Sequence, residues 1–203
     1  MITDDMRRRM ESVLRIDYES CLGQATLPLT PTQLLELADD VFAYEWIDAY
    51  RMQCDRPTSV LSITLDGYIF LWDESYERVV AVYGTQKNGI EKRRRDKSRI
   101  AYYYRNFIQR YQKDTATDTG HFIAHSFGGG LDMNLFPQKR DINQGRSAEG
   151  KLYRRMENYV LMHPGTFVFS RPVYFDDTWR PVFLEYGVGR TDTALWVNIF
   201  DNI

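Results

Sequence analysis

Residues 118–130 of the chain read DTGHFIAHSFGGG, and this stretch decides how the rest of the sequence is interpreted. It joins His121 to three consecutive glycines, and the residues that follow add Asn134 and Asn143. Glycine, asparagine and histidine contribute little to a hydrophobic core, since the first has no side chain and the others are polar. The stretch therefore predicts a polar functional site, flanked in sequence by segments that can build its scaffold.

The flanking segments carry the periodicities of strands and of one helix. Before the stretch, apolar residues recur with a period of two, which predicts strands at 60–65, 68–72 and 78–83, the last two forming a hairpin. After it, residues 151–162 have helical spacing, and His163-Pro164-Gly165 ends that helix. The chain then closes with three strand-like runs, at 166–174, 180–187 and 194–200.

The N-terminal part of the chain is predicted to be helical. Residues 4–18 place Met6, Met10, Val13 and Leu14 on one helical face. Thr30 and Pro31 then open a second helix, as N-cap and first helical residue, which runs to about residue 52 and has a broad apolar face. That face needs cover from the first helix, from a sheet or from a second copy of the chain. We therefore separate an N-terminal helical extension, residues 1–57, from a second domain, residues 58–203.

Composition sets limits on the function classes. The chain has 203 residues, 43% of them hydrophobic, and a net charge of −2, so any nucleic-acid partner must meet a local basic patch. Two cysteines, Cys21 and Cys54, are too few for a disulfide scaffold and are interpreted as free thiols. Neither a Sec signal nor a run of apolar residues long enough to span a membrane is found. We expect a protein without a membrane partner that is cytoplasmic or exported by a route other than Sec.

A basic run precedes the central stretch. Six lysines and arginines fall between residues 92 and 99, and residues 98–111 follow with helical spacing. This run is interpreted either as a solvated loop or as a surface that follows the phosphates of a nucleic acid.

The residue types of the central stretch suit phosphodiester hydrolysis. A neutral histidine can take the proton of an attacking water. A hard divalent cation, held by amide and carboxylate oxygens, can neutralise the charge on the phosphoryl oxygens and stabilise the leaving group. One histidine, one asparagine and one glutamate are therefore a sufficient set.

Four blocks of sequence also resemble a known family, the DNA/RNA non-specific endonucleases, which are ββα-metal (His-Me finger) nucleases. The blocks are Asp118-x-Gly120-His121, Asn134-x-x-Pro137-Gln138, Asn143-Gln144-Gly145 and Tyr153-x-x-Met156-Glu157-Asn158. The histidine block is most similar to the subgroup that is common among bacterial toxin domains. The resemblance covers residues 60–203 and implies an α+β fold: a ββα-metal nuclease core with a mainly antiparallel sheet and flanking helices.

The resemblance implies a role for each matching residue. His121 would be the general base, at the end of a strand, and Asn143 would be the direct metal ligand, on a helix. Glu157 would hold a metal-bound water or support the site. Asn134, together with Gln138, would stabilise the loop or contact the phosphate. The implied ion is Mg²⁺ or Mn²⁺, and the implied partner is DNA or RNA.

Two features depart from the family pattern. An arginine often follows the aspartate of the histidine motif, but Thr119 stands there, so another cation would serve the phosphate: Arg140, Arg146 or the basic run. Glu157 also follows Asn143 by 14 residues, where the family has eight. One continuous helix would separate the two residues by about 21 Å, so we predict a break between Gly145 and Gly150, with Glu149 as the substitute if Glu157 is remote.

His125 stands four residues after His121, a spacing that also occurs in zinc sites. Phe122 occupies the position of the glutamate in the zinc-protease motif His-Glu-x-x-His, so we interpret His125 as a packing or hydrogen-bonding residue.

The sequence thus predicts a metal-dependent endonuclease of low sequence specificity, acting as a bacterial toxin or antiphage defence effector. The alternative is a catalytically weakened nucleic-acid-binding module of the same fold. A further hypothesis is a toxin whose residues 1–57 bind an inhibitor, immunity or regulatory protein, or a second copy of the chain.

Overall fold

The architecture is α+β with a mainly antiparallel sheet, which confirms the predicted fold class. The computed structural model describes residues 3–23, 28–86, 116–190 and 194–203. The predicted basic run at 92–99 and the predicted helix at 98–111 lie outside these residues. Within the described ranges, no helix combines the length and apolar character that crossing a membrane requires. Cys21 and Cys54 are both free thiols.

The main sheet has six strands, and every neighbouring pair is antiparallel. In their order across the sheet, the strands are β1 (Val60–Leu65), β2 (Tyr68–Asp73), β3 (Arg78–Thr85), β6 (Phe167–Val173), β7 (Phe183–Arg190) and β8 (Ala194–Asp201). A second sheet is a hairpin of β4 (Thr117–His121) and β5 (Leu135–Lys139). The strands predicted from the alternation of apolar residues are therefore present, with ends shifted by a few residues.

Four short helices cover one face of the main sheet. They are α1 (Asp4–Arg9), α2 (Tyr18–Leu22), α3 (Pro31–Leu37) and α4 (Ala43–Arg51), and a π-helical turn, Ala38–Phe42, joins α3 to α4. Thr30 caps α3 in a reciprocal pair with Gln33, and Pro31 is its first residue, as predicted. Phe42 and Trp46 are fully buried and pack with Tyr83 and Phe169 of the sheet. The broad apolar face predicted for the second helix is thus buried against the sheet.

The first predicted helix is shorter than expected, and its register changes. A π-helical turn, Met10–Leu14, follows α1, and Arg15 is extended before Asp17 caps α2. A π-helical turn adds a residue to the helical period, so the spacing of apolar residues no longer defines one face. Val13, predicted to point inward, is 40% exposed, whereas Met10 and Leu14 are buried. The prediction of one continuous helix over 4–18 was wrong for this reason.

The opposite face of the main sheet carries the hairpin and two further helices, α5 (Arg140–Asn143) and α6 (Ala148–Met162). Phe122, Phe136 and Met156 contact the sheet through a second buried cluster that includes Phe70 and Tyr186. The fold therefore has three layers: N-terminal helices, six-stranded sheet, and a unit of two strands and a helix. The central stretch belongs to the third layer.

A buried ion pair joins the sheet to the N-terminal helices. Arg171 Nε donates to Glu185 Oε2 at 2.6 Å, and both side chains are 1% exposed. Tyr18 donates its hydroxyl to the same carboxylate oxygen at 2.7 Å, and Arg171 also donates to the carbonyl oxygen of Leu14 at 2.9 Å. Burial, and then the charge of Glu185, raise the pKa of Tyr18, so the phenol remains a donor.

We expect Arg171→Met to lower the free energy of unfolding by about 3–5 kcal/mol, because Glu185 would remain as a buried charge without its counter-ion. The double variant Arg171→Met/Glu185→Leu should lower the free energy of unfolding by less, since it removes both charges. Urea unfolding measures both effects. The control is Arg51→Met, which removes an exposed ion pair with Asp48 and should cost under about 1 kcal/mol. An equal loss in Arg171→Met and the control would contradict the role given to the buried pair.

Candidate active site

His121 is the last residue of β4, the strand that the central stretch forms. Its side chain is half-buried with Nε2 shielded from solvent, and its ring lies 6.4 Å from the ring of His125. The preceding residue, Gly120, is in register with Phe136 and lies so close to Gln138, two residues further along β5, that a Cβ atom would lie 2.5 Å from the Cβ of Gln138. Gly120 thus allows the two strands to close at the point where His121 is presented.

The hydrogen bonding of the hairpin leaves carbonyl groups of β4 pointing away from β5. The amide of Arg140 donates to the carbonyl of Ala116, and the amide of Phe122 donates to that of Asn134. Hydrogen-bonded pairs recur at every second residue of an antiparallel ladder. The backbone carbonyl groups of Thr117 and Thr119 lie between such pairs and therefore point away from β5. The Nδ2 group of Asn143 donates to the outward carbonyl of Thr119 at 3.2 Å. This bond holds the side chain of Asn143 against β4 at Thr119, which is two residues before His121 in the strand.

Asp118 fixes both ends of α5 to the hairpin. Its Oδ1 accepts a hydrogen bond from Arg140 Nε at 3.0 Å, and its Oδ2 accepts one from Gln144 Nε2 at 2.6 Å. Arg140 is the first residue of α5 and Gln144 follows its last, Asn143. The carboxylate therefore determines where the helix lies on β4. Arg140, predicted to contact substrate, is paired with Asp118 and keeps 44% of its side chain exposed.

Asn134 stabilises the loop that follows His121. Its side chain is fully buried; Oδ1 accepts from the amide of Ile123 at 2.8 Å, and Nδ2 donates to the carbonyls of Ile123 and Gly130 at 2.9 and 2.8 Å. A Cβ atom on Gly129 would lie 1.8 Å from the carbonyl oxygen of Ile123. The glycine run thus lets the loop fold back against Asn134. In this position Asn134 supports the backbone rather than facing solvent.

His125 lies in the same loop and donates from Nδ1 to the carbonyl of Gly129, with the two atoms 3.2 Å apart. Among the described residues, no group of three or more histidines, cysteines, aspartates and glutamates is arranged to hold a metal ion.

The helix breaks between Asn143 and Glu157, within the predicted region. Gly145 has a positive φ of 67°, and Ser147 caps α6 by accepting a hydrogen bond from the amide of Gly150. A Cβ atom on Gly150 would lie 2.3 Å from the carbonyl oxygen of Asp141, so the start of α6 packs directly on α5. The break turns α6 back toward the hairpin instead of continuing the axis of α5.

Arg154 connects the two residues that the break separates. One of its terminal nitrogens donates to the carbonyl of Asn143 at 2.7 Å, and the other lies 3.6 Å from Glu157 Oε2. The Glu157 side chain is only 15% exposed, whereas Arg154 is half-exposed. A single guanidinium thus brings the backbone of Asn143 and the carboxylate of Glu157 to one place. The sequence reasoning missed Arg154, although its spacing three residues before Glu157 was visible.

Glu157 and Glu149 lie in different surroundings. Burial raises the pKa of Tyr153 and of Tyr186, and the charge of Glu157 raises both further, so Glu157 faces two protonated phenols. Burial also raises the pKa of Glu149, followed by the charge of Asp201 at the end of β8. Of the two glutamates, Glu157 is the one tied to Asn143.

The remaining predicted residues lie close to this site in sequence and differ in exposure. Gln138 is buried against Gly120. Arg146 lies exposed in the break before α6, where its backbone amide donates to the carbonyl of Asp141. Asp118, which belongs to the histidine motif, holds α5 in place.

Solved structures similar to this chain were found, whereas no protein-family model and no curated protein matches it. Metal-free NucA from Streptococcus agalactiae matches at 15% identity and a TM-score of 0.45, over 74% of this chain and 73% of NucA. Magnesium-bound NucA matches at 14% identity and a TM-score of 0.46, over 71% of this chain and 85% of that one. The EndoG/EndoGI complex matches at 14% identity and a TM-score of 0.45, over 78% and 80%.

We expect Asn134→Ala to lower the free energy of unfolding by about 3 kcal/mol, because each buried backbone group left without a partner costs about 1–3 kcal/mol. Hydrogen exchange at the amide of Ile123 should accelerate by more than exchange in β7. Urea unfolding and exchange mass spectrometry measure the two effects. The control is Asn158→Ala, at an exposed position of α6, where a change under about 0.5 kcal/mol is expected. Normal protection of the loop in Asn134→Ala would show that another contact holds it.

Proposed function

We propose that this chain is a divalent-metal-dependent endonuclease that hydrolyses phosphodiester bonds in DNA or RNA with little sequence preference. The hydrogen bond from Asn143 to the carbonyl of Thr119 is the observation that carries the proposal. It joins a candidate metal ligand to the strand that ends at the candidate base, His121. The toxin-type form of the histidine motif supports a role as a bacterial toxin or antiphage defence effector.

The donor groups of the site fit a hard cation. The Nδ2 group of Asn143 is used by Thr119, which leaves the carboxamide oxygen Oδ1 as the group able to bind an ion. Mg²⁺ accepts few protein oxygens and keeps several waters, so Asn143 as the direct ligand and Glu157 as the acceptor for a bound water form a suitable pair. When bound, the ion would neutralise charge on the phosphoryl oxygens and stabilise the leaving group.

His121 is assigned the general base. A neutral imidazole can take the proton of the attacking water while the oxygen of that water attacks phosphorus. The position of the ring is set by the end of β4 and by the loop that Asn134 and Gly129 hold. Asn134 acts through that loop and is therefore a positioning residue. The side chain of Gln138 packs against Gly120, the residue before His121.

Arg154 is assigned a positioning role that compensates for the six residues inserted before Glu157. Its guanidinium bonds the carbonyl of Asn143 and pairs with Glu157, so it keeps the two metal-site residues together. Arg140 has a different task, since Asp118 accepts its Nε–H. The half-exposed Arg154 also places a positive charge beside Asn143. The neutral Thr119, which stands where the family often has an arginine, does not provide this charge.

His121→Ala should reduce kcat for cleavage of plasmid DNA or of RNA by about 10²–10⁴-fold, because it removes the general base. Asn143→Ala should abolish the Mg²⁺ dependence together with the activity, and EDTA should stop the wild-type reaction. Gel assays with Mg²⁺ and Mn²⁺ measure these rates, with Asn158→Ala as the matched surface control. Binding of nucleic acid without cleavage across divalent metals would instead favour the binding-module alternative.

Arg154→Gln should weaken Mn²⁺ binding by about 10–100-fold, because residues that orient a ligand contribute this much to metal affinity. Electron paramagnetic resonance of bound Mn²⁺ measures the affinity independently of cleavage. Arg154→Lys should recover part of it, since lysine keeps the charge but cannot bridge both oxygens. Arg155→Gln, the neighbouring exposed arginine of α6, is the control. Unchanged Mn²⁺ affinity in Arg154→Gln would remove Arg154 from the site.

A further inference from the structure

The flank of α6 opposite Glu157 carries a stripe of basic and aromatic residues. Lys151, Arg155, Tyr159 and His163 follow one another at intervals of four, which places them along one side of the helix and its C-terminal end. Lys151, Arg155 and His163 are exposed and Tyr159 is half-buried. Twelve residues of helix are about 18 Å long, so the stripe is an extended track rather than a single point.

The edge of the main sheet adds two residues to this stripe. Trp196 shares a face of β8 with Asn198 and Phe200, and these two contact Met156 and Tyr153 of α6. Trp196 therefore lies beside α6, with its ring 6.4 Å from that of Tyr159. Arg190, near the end of β7, stands over both rings, 5.3 Å from Trp196 and 5.4 Å from Tyr159. Arg155 approaches Trp196 at 5.8 Å.

Contacts with the rings order the charged groups of the stripe. Three cation–ring pairs join four side chains here, so Arg155 and Arg190 are both held beside Trp196, and Arg190 also beside Tyr159. A guanidinium is planar and carries a fork of N–H donors that matches the oxygens of a phosphate. His163 is itself stacked on Tyr159, with the ring centroids 4.1 Å apart.

A single-stranded nucleic acid has the matching chemistry. Its phosphates suit the basic side chains, and its unpaired bases can stack on the ring of Trp196, which the paired bases of a duplex cannot do. Tyr159, whose ring contacts His163 and Arg190, positions these two side chains. The chain as a whole has a net charge of −2, so this attraction must come from local groups. A nucleic-acid strand bound at the proposed metal site, on one flank of α6, would reach the stripe by crossing the helix, which is about 10–12 Å wide.

We propose that Lys151, Arg155 and Tyr159 of α6 and His163 at its C-terminal end, together with Arg190 and Trp196, form a binding track for the single-stranded nucleic acid adjoining the cleavage site. The track extends the proposed endonuclease function, on which it rests, and names unpaired strands as the preferred substrate. Its contribution is to the binding of long substrates, and the hydrolytic step at His121 does not depend on it.

Binding of a fluorescein-labelled oligothymidylate to the full-length His121→Ala protein tests the track, with anisotropy recorded over a series of salt concentrations. Adding Lys151→Gln and Arg155→Gln should weaken binding and make the slope of log affinity against log salt less steep by about 1.4, since each single-strand phosphate contact contributes about 0.7. The matched control is Arg8→Gln/Arg51→Gln, two exposed arginines of α1 and α4, on the opposite face of the sheet, which should leave the slope unchanged.

The aromatic part of the track has a separate signal. Oligothymidylate should quench tryptophan fluorescence, and Trp196→Phe should remove most of that quenching while preserving the fold. An unchanged salt slope in the Lys151→Gln/Arg155→Gln protein would overturn the track. Equal losses for a duplex and a single strand, with no effect of Trp196→Phe, would overturn the preference for unpaired strands.

The failure of the track is distinguishable from the failure of the proposed endonuclease. Hydrolysis of thymidine 5′-p-nitrophenyl phosphate, too short to reach the stripe, should require His121 and Asn143 and should be unaffected by Lys151→Gln/Arg155→Gln. If that hydrolysis persists in His121→Ala and Asn143→Ala, the endonuclease proposal fails and the inference falls with it. If hydrolysis is lost in those variants but oligothymidylate binding is unchanged by Lys151→Gln/Arg155→Gln, only the inference fails.

Discussion

The outward carbonyl groups of β4 are the constraint on which the site depends. A strand with only one paired edge must satisfy its other edge with water, side chains or another strand. Here α5 supplies the side chain, since Asn143 donates a hydrogen bond to the carbonyl of Thr119. Asp118 holds the two ends of the helix by accepting hydrogen bonds from Arg140 and Gln144. The same bond that completes the strand orients the amide beside His121. Strand completion and site geometry are therefore one interaction, and neither can change alone.

The partner of Thr119 across the hairpin shows how the sequence accommodates this arrangement. Thr119 is in register with Pro137, which has no N–H to donate. Proline is tolerated because the pair is a non-hydrogen-bonded one, where β4 directs its groups outward. The carbonyl of Pro137 also points away from β4 and accepts a hydrogen bond from buried Asn202, near the C-terminus. The hairpin is thus fixed on both sides, by α5 and by the end of the chain.

Much of this fold could be predicted because its elements have clear periodicity, and the missing parts depend on contacts between distant residues. The strands and α6 follow from alternation and helical spacing, and Thr30-Pro31 marks the start of α3. Periodicity cannot reveal a π-helical turn, which is why Val13 was assigned to the wrong face. The break before α6 was predicted from the distance that a continuous helix would create. The bond from Arg154 to Asn143 was not predictable, since it exists only once that break has turned α6 back.

The two proposals assign to helix α6 two tasks that require opposite properties of its surface. The flank with Glu157 is largely shielded and faces protonated phenols, which favours a fixed carboxylate. The flank with Arg155 is exposed and basic, which favours attraction of a charged chain at a distance. The buried ridge of Tyr153, Met156 and Val160 lies between the two flanks on the side of the helix that packs on the sheet, and the charge of Glu157 is paired with Arg154. Rotation of α6 would disturb both flanks together, and the tight contact of Gly150 with α5 prevents it. The glycine that allows the helix to start there therefore supports both the chemistry proposed for one flank and the binding proposed for the other.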